Sequence, residues 1–130
     1  MKSSFREEFA HQLRNVAALA GRAYSLIEGQ IGTIDQVCGE IEAAKSIHVY
    51  GKGRSGAVAV SLALRLKHLG YNTWFVGDVV KEGIKPDDVV GLFSGSGETS
   101  DVVGVAERAK RVGAKLVSVT SFRESTIGRP

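Results

Sequence analysis

The segment at residues 94–99 combines hydroxyl side chains with glycines, a composition suited to binding a phosphate group. Its hydroxyl and glycine residues are Ser94, Ser96, Thr99, Gly95 and Gly97. Short hydroxyl donors and backbone N–H groups together hold a phosphate dianion, and a helix that begins after the segment adds free N–H groups. The alternative is a glycine-rich turn whose serine and threonine only cap that helix. Capping explains one or two hydroxyls, so the whole cluster favours phosphate binding.

A second glycine-rich segment, residues 51–56, has the pattern G-x-G-x-x-G. The residues that would line its loop are Gly51, Gly53, Arg54 and Ser55. Glycine lets the backbone come close to a ligand, which suits a phosphate. The same pattern is the dinucleotide fingerprint, in which an acidic residue about 20 positions further on binds the ribose. Asp78 stands near that position but follows Gly77, beyond the next apolar run. This offset argues against a dinucleotide. The remaining alternatives are some other phosphate ligand, which the segment favours, and a merely tight turn.

Both segments follow β-rich runs that alternate with helical patterns. The predicted strands are residues 47–50, 73–76, 89–93 and 115–120. The predicted inward positions of the two helices between them are Val58, Leu62, Leu66 and Leu69 in one, and Val102, Val103, Ala106 and Ala109 in the other. This alternation predicts an α/β fold, a three-layer αβα sandwich with a parallel sheet. We expect the strand order 2-1-3-4, with both glycine segments facing one crevice beyond the carboxyl ends of the strands.

The first 45 residues have a helical pattern of their own. Apolar positions recur at spacings of three and four: Phe9, Leu13, Val16, Ala20, Ala23 and Ile27. Two glycines within residues 28–32 interrupt the pattern, and Thr33 with Gln36 fits a capping box that starts a second helix. The sequence therefore predicts one domain over residues 1–130, with a helical hairpin at 1–45 before an α/β core at 46–130. The hairpin's apolar stripe fits either a coiled-coil seam or one side of a helix packed on the domain. We favour a hairpin that also forms an oligomer interface.

Composition limits the partners that can be expected. The 130 residues include 17 Lys and Arg and 14 Asp and Glu, a formal net charge of +3, with no basic block. This pattern argues against nucleic-acid binding and is compatible with a small anionic ligand. No apolar run reaches the roughly 20 residues that span a bilayer, and the N-terminus lacks the apolar stretch of a signal peptide. We expect a cytoplasmic protein that binds no membrane.

Four stretches of the sequence resemble the sugar isomerase (SIS) domain family, and within it the 6-phospho-3-hexuloisomerase branch. They are residues 49–56, 64–70, 93–100 and 113–121. The resemblance implies a flavodoxin-like SIS fold. It also implies that Ser94, Ser96 and Thr99 hold a substrate phosphate with help from Ser55 and loop N–H groups.

The resemblance further implies a reaction, the interconversion of 3-hexulose 6-phosphate and fructose 6-phosphate through an enediol(ate). That isomerisation requires neither a redox cofactor nor a metal, so none is expected. Glu98 and His68 are the candidate catalytic residues, with Glu82 a weaker one. Glu98 has the alternative role of organising the backbone of its loop. His68 lies near a helix end, so it would act only across a subunit interface, which implies a homo-oligomer (a dimer or a tetramer).

Members of the family continue with a fifth strand and a further helix, whereas this sequence stops at Pro130. The leading function is the isomerase. The missing end favours the alternative, a non-catalytic module that binds a phosphorylated sugar. Only the glycine segment at residues 51–56 favours the third, a nucleotide-binding domain.

Overall fold

The computed structural model describes residues 4–129, which divide after Cys38 into two compact units. The first unit contains helix α1 (Phe5–Glu28) and the start of helix α2 (Ile31–Ala43). Ser4 and Glu7 form a capping box at the start of α1, which satisfies two N–H groups that the first turn leaves free. No residue of α1 is buried, and its apolar side chains are exposed, among them Phe9, Leu13 and Val16. Two N-terminal helices are present, as predicted.

The predicted start of the second helix was wrong by three residues. Helix α2 begins at Ile31, so Thr33 lies inside it and does not cap it. Gly29 adopts ordinary right-handed backbone angles (φ −72°, ψ −8°), and the Ile34 N–H donates to the Gln30 carbonyl at 3.0 Å. Only two residues, Gly29 and Gln30, separate the two helices.

The second unit contains a four-stranded parallel sheet. Its strands are β1 (Ile47–Gly51), β2 (Thr73–Phe75), β3 (Val89–Phe93) and β4 (Lys115–Val119). The strand order is β2-β1-β3-β4, which confirms the predicted order and the α/β class. In the register, Gly51 pairs with Phe93. The loops that follow β1 and β3 therefore leave the sheet side by side, at the point where the strand order reverses.

One core cluster lies between the sheet and helix α4 (Ser100–Val112). Its members are Val76, Val90, Leu92, Val102, Val105, Ala106, Ala109 and Ile127. The predicted inward positions of α4 are confirmed, except that Val105 is buried and Val103 only partly so. Gly113 ends the helix with a left-handed φ of 83°, the conformation that glycine adopts most readily.

The second cluster lies under helix α3 (Gly53–His68), and here the predicted face was largely wrong. Its buried residues are Ile47, Val49, Ala59, Ala63 and Leu66. Val58, Leu62 and Leu69 were expected inward but are 56%, 37% and 59% exposed. The helix carries two stripes at helical spacing, and the stripe of small residues faces the sheet. Leu66 alone belongs to both the predicted and the observed face.

His48 and Asp88 form a buried pair near the amino ends of β1 and β3. The His48 Nε2 and Asp88 Oδ2 atoms are 3.0 Å apart, and both side chains are at most 5% exposed. Asp88 Oδ2 also accepts a hydrogen bond from the Lys85 N–H at 2.9 Å. His48 thus fixes the edge of the sheet opposite to the glycine loops. In the part of the chain that the structure covers, no helix is long and apolar enough to cross a membrane.

Candidate functional site

The loop after β3, residues 94–99, is held by its own hydroxyl groups. Ser94 is only 2% exposed. Its Oγ accepts a hydrogen bond from the Gly97 N–H at 3.0 Å and lies 2.8 Å from Thr99 Oγ1. Ser96 is exposed, and its Oγ accepts from the Glu98 N–H at 3.1 Å. The loop therefore presents Ser96 and the half-buried Thr99 outward, while Ser94 supports them from below.

Two helices begin at this edge of the sheet without side-chain caps. Thr99 occupies the N-cap position of α4 and Lys52 that of α3, and neither side chain bonds a helix N–H. The first N–H groups of a helix have no partner within the helix. They also carry the positive end of the helix dipole. The capping role considered for the serine and threonine hydroxyls is absent at Thr99, so two helix N-termini are left open to an anion.

The loop after β1 brings two backbone segments into close approach. A Cβ at Gly51 would lie 2.9 Å from the Gly56 nitrogen, and one at Gly56 would lie 2.6 Å from the Gly51 carbonyl oxygen. Ser55 is half-buried and Arg54 exposed. Among residues 4–129, the Arg54 guanidinium forms no ion pair. The loop thus has a backbone only glycine permits and offers a hydroxyl and a cation at the start of α3.

A surface ion pair joins this loop to α4. Lys52 Nζ lies 3.2 Å from Asp101 Oδ2, and the hydrogen bond to Asp101 raises the pKa of Lys52. Both side chains are more than half exposed, so the pair contributes little to stability. The pair instead holds the loop in position, because it bridges the first turns of the two helices that border the crevice. Sequence reasoning did not find this pair.

The segment after β4, residues 120–128, lies against the loop after β3, a contact that the sequence analysis did not predict. The Ser121 N–H and the Thr120 hydroxyl both donate to the Gly95 carbonyl, at 3.1 and 3.3 Å. The Ile127 N–H donates to the Gly97 carbonyl at 3.3 Å, and the Ile127 side chain is buried in the α4 core. Serines and threonines after a strand end were the available signal in the sequence.

Glu98 joins the same two loops through its side chain. Its carboxylate accepts the Thr126 N–H at 2.7 Å and the Thr126 hydroxyl at 2.6 Å. These bonds, first from the hydroxyl and then from the backbone, hold the pKa of Glu98 below its usual range. Glu98 is therefore ionised at neutral pH, and each of its two oxygens already accepts a hydrogen bond.

The structure does not bring the candidate catalytic residues together. His68 is the last residue of α3 and exposed. Fifteen residues separate it from the start of that helix at the site, roughly 22 Å at about 1.5 Å per residue. Glu82 accepts hydrogen bonds from Ser46 and Asn72, which precede β1 and β2 at the opposite edge of the sheet. Of these three candidates, only Glu98 lies at the crevice.

Asp78 is the residue on which the dinucleotide alternative depends. Asp78 lies in the turn after β2 and is exposed, at the same edge of the sheet but past the end of its strand. Within residues 4–129, no cluster of three or more His, Cys, Asp or Glu side chains is arranged to hold a metal ion. A cavity of about 480 Å³ runs beside α4, lined by Tyr50, Ser100 and Gly104 among others. The hydroxyls of Ser94, Ser96 and Thr99 do not line that cavity.

The parallel sheet, with two helices that begin without side-chain caps at its switch point, defines an α/β protein. A family model identifies the class further: the SIS domain model matches residues 40–130. The chain belongs to the SIS domain family.

Several relatives show how far the similarity extends. An uncharacterized protein of Archaeoglobus fulgidus is 44% identical over 97 residues, 75% of this chain and 53% of that protein. A 3-hexulose-6-phosphate isomerase of Bacillus subtilis is 37% identical over 95 residues, 73% of this chain and 51% of that protein. A crystal structure from Methanococcus jannaschii, described as inferring a 3-hexulose-6-phosphate isomerase function, is 33% identical. It superposes with a TM-score of 0.71 over 74% of this chain and 54% of that one. The chain spans about half the length of the curated relatives it matches.

Proposed function

We propose that this chain provides the phosphosugar-binding half of an isomerase that interconverts 3-hexulose 6-phosphate and fructose 6-phosphate. The observation that carries the proposal is the pair of uncapped helix N-termini, α3 and α4, that follow neighbouring strands. Partial positive charge and free N–H groups converge there on one crevice, and such termini bind phosphate well. The similarity to relatives named 3-hexulose-6-phosphate isomerase supports this choice of substrate.

In this proposal the phosphate lies over the loop after β3, residues 94–99, which we call the phosphate loop. Ser96 and Thr99 donate their hydroxyl hydrogens to phosphate oxygens, and Ser55 donates from the loop after β1. Ser94 is too buried to contact the ligand directly, so its role is to orient Thr99 across their 2.8 Å contact. Arg54 adds positive charge at the start of α3. Gly51, Gly53, Gly95 and Gly97 shape the two backbones around the ligand.

The reaction is a proton shift within the sugar. A base removes the proton from carbon 2 of the 3-ketose, which gives an enediol(ate). A proton then returns to carbon 3, and the carbonyl is left at carbon 2. The oxidation of one carbon equals the reduction of the other, so no external oxidant or reductant is required.

The acid–base group must lie within hydrogen-bond reach of carbons 2 and 3. Glu98 and His68 were the predicted candidates, but in a single copy His68 is too far from the crevice and Glu98 is engaged by Thr126. We propose that the base comes from outside this chain's own crevice, either His68 of a second copy or a residue of a longer polypeptide. Self-association into a dimer or a tetramer and a cytoplasmic location remain predictions.

A non-catalytic phosphosugar-binding module is the second candidate. The observation that favours it is that no free carboxylate or imidazole among the assigned candidates lies at the crevice of one copy. The two candidates share the binding site and differ in turnover.

The test is calorimetry with three ligands followed by an isomerisation assay. Fructose 6-phosphate is expected to bind, whereas fructose, which lacks the phosphate, and a nicotinamide dinucleotide are not. Conversion of fructose 6-phosphate to the 3-ketose supports an isomerase whose base comes from a second copy of this chain. Binding without conversion supports the module or an isomerase whose base lies in a longer polypeptide. Binding of the dinucleotide but not of the sugar phosphate would contradict both.

A further inference from the structure

The two loops that meet at the crevice are joined by the most direct side-chain contact in this region. Glu98, in the phosphate loop, accepts two hydrogen bonds from Thr126, one at 2.7 Å from the backbone and one at 2.6 Å from the hydroxyl. Distances this short are typical of hydrogen bonds to an ionised acceptor, which are about twice as strong as neutral ones. The contact spans 28 positions of sequence, so it fixes the tertiary arrangement of the loops.

The 120–128 segment depends on such contacts because it contains no helix or strand. Its backbone and side-chain donors bind the carbonyls of Gly95 and Gly97. In a trans peptide the carbonyl and the following N–H point in opposite directions. Holding the Gly95 carbonyl toward the segment therefore turns the Ser96 N–H away from it. The segment thus controls which way a phosphate-loop N–H points.

Gly97 lies where the 120–128 segment packs closely against the phosphate loop. Its φ is +69°, and a Cβ built there would overlap the Ser125 hydroxyl. The Ser125 Oγ in turn accepts the Gly128 N–H at 3.2 Å. The segment therefore closes on the phosphate loop with no space between them, and Glu98 lies at the outer side of that contact.

We propose that Glu98 is a positioning residue: through Thr126 it holds the 120–128 segment against the phosphate loop and thereby keeps the loop ready for a phosphate. The inference rests on the proposed function for the identity of its ligand. It assigns to the only candidate carboxylate at the crevice a role in binding and removes it from the acid–base step. A base must be free to reach the substrate's proton, whereas both Glu98 oxygens face donors of Thr126.

A double-mutant cycle separates the two roles. Glu98→Gln removes the negative charge and one acceptor oxygen, so that at best two neutral hydrogen bonds, about half as strong, remain to Thr126. Thr126→Val removes the hydroxyl while keeping the β-branched shape. Each single variant is expected to weaken fructose 6-phosphate binding roughly tenfold. The double variant should bind no more weakly than the weaker-binding of the two single variants, because both substitutions disrupt one interaction. Glu124→Gln is the matched control, since that carboxylate is 87% exposed, and it is expected to bind as the parent does.

The base hypothesis predicts a different pattern. Under it, Glu98→Gln would leave the dissociation constant unchanged and abolish turnover, while Thr126→Val would change neither. That pattern would overturn the positioning role. The urea midpoint of each variant, followed by Trp74 fluorescence, shows that a loss of binding is not a loss of fold.

Hydrogen exchange tests the contact independently of any ligand. The Thr126 amide is expected to exchange faster in Glu98→Gln than in the parent. Because the pKa of Glu98 is lowered in the folded protein, the contact is intact above the ordinary glutamate range near about 4.3. It is lost as the pH falls through the lower folded value, and Glu98→Gln lacks this acid response.

The proposed function and the positioning role of Glu98 can be refuted separately. If the parent does not bind fructose 6-phosphate, the proposed function is wrong, and the exchange of Thr126 still decides the contact. If exchange at Thr126 is the same in Glu98→Gln, the contact is wrong whatever the ligand. If exchange quickens but fructose 6-phosphate binds equally well, the positioning role is wrong.

Discussion

Replacing Gly97 with alanine is expected to destabilise the α/β unit and loosen the phosphate loop. The residue has a φ of +69°, and a left-handed conformation costs a non-glycine residue about 1–2 kcal/mol. The new methyl group would also displace the Ser125 hydroxyl, with which it would overlap. That removes the hydrogen bond from the Gly128 N–H, a further loss of about 0.5–1.5 kcal/mol. The two effects together predict a loss of about 1.5–3.5 kcal/mol in the free energy of unfolding.

Gly95→Ala is the matched control in the same loop. Its φ is not in the left-handed region, and no atom lies within 4 Å of a Cβ built there. Urea unfolding followed by Trp74, the chain's single tryptophan, measures both variants. With a slope near 2 kcal/mol per molar, the midpoint of Gly97→Ala should fall by roughly 0.8–1.8 M, and that of Gly95→Ala should stay near the parent's. Equal midpoints for the two variants would refute the close fit of the 120–128 segment.

Two further predictions concern the rest of the molecule. Asp88→Ala leaves the buried His48 without its partner at 3.0 Å, so the free energy of unfolding should fall by about 1–3 kcal/mol. An unchanged urea midpoint would contradict the role given to this pair. The exposed apolar stripe of α1 is predicted to mediate self-association, so Val16→Lys should shift sedimentation toward the monomer at micromolar concentration, and a monomeric parent would contradict that prediction.

The sheet could be predicted because its signals are local. Each strand is a short apolar run bounded by turn residues, and the run at residues 89–93 matches β3. The strand order was predicted by placing both glycine segments where the order of an α/β sheet reverses. The face of α3 could not be chosen in the same way. Its larger apolar residues, Val58 and Leu62, were assigned to the core, but the observed inner face is built on Ala59 and Ala63.

The site was predicted in part for the same reason. Both glycine loops can be recognised from their composition, and the structure places them side by side. The partner of Glu98 lies 28 residues away in an irregular segment, and neither periodicity nor spacing connects Glu98 to Thr126. The Lys52–Asp101 pair likewise depends on the crossing of two helices. Contacts between loops follow from the fold and cannot be obtained from local sequence.

The measurement that tests the central claim most directly is calorimetry of fructose 6-phosphate on Ser96→Ala against the parent. Ser96 is exposed at the crevice, and its hydroxyl is predicted to donate to the phosphate. A hydrogen bond to a charged group contributes about 1.5–3 kcal/mol, so affinity should fall roughly ten- to hundredfold. Ser61→Ala is the control, because the Ser61 hydroxyl bonds only the Ala57 carbonyl on the exposed side of α3, and it should bind as the parent does. Equal affinity of Ser96→Ala and the parent, or no binding by the parent, would contradict the assignment of this loop to a sugar phosphate.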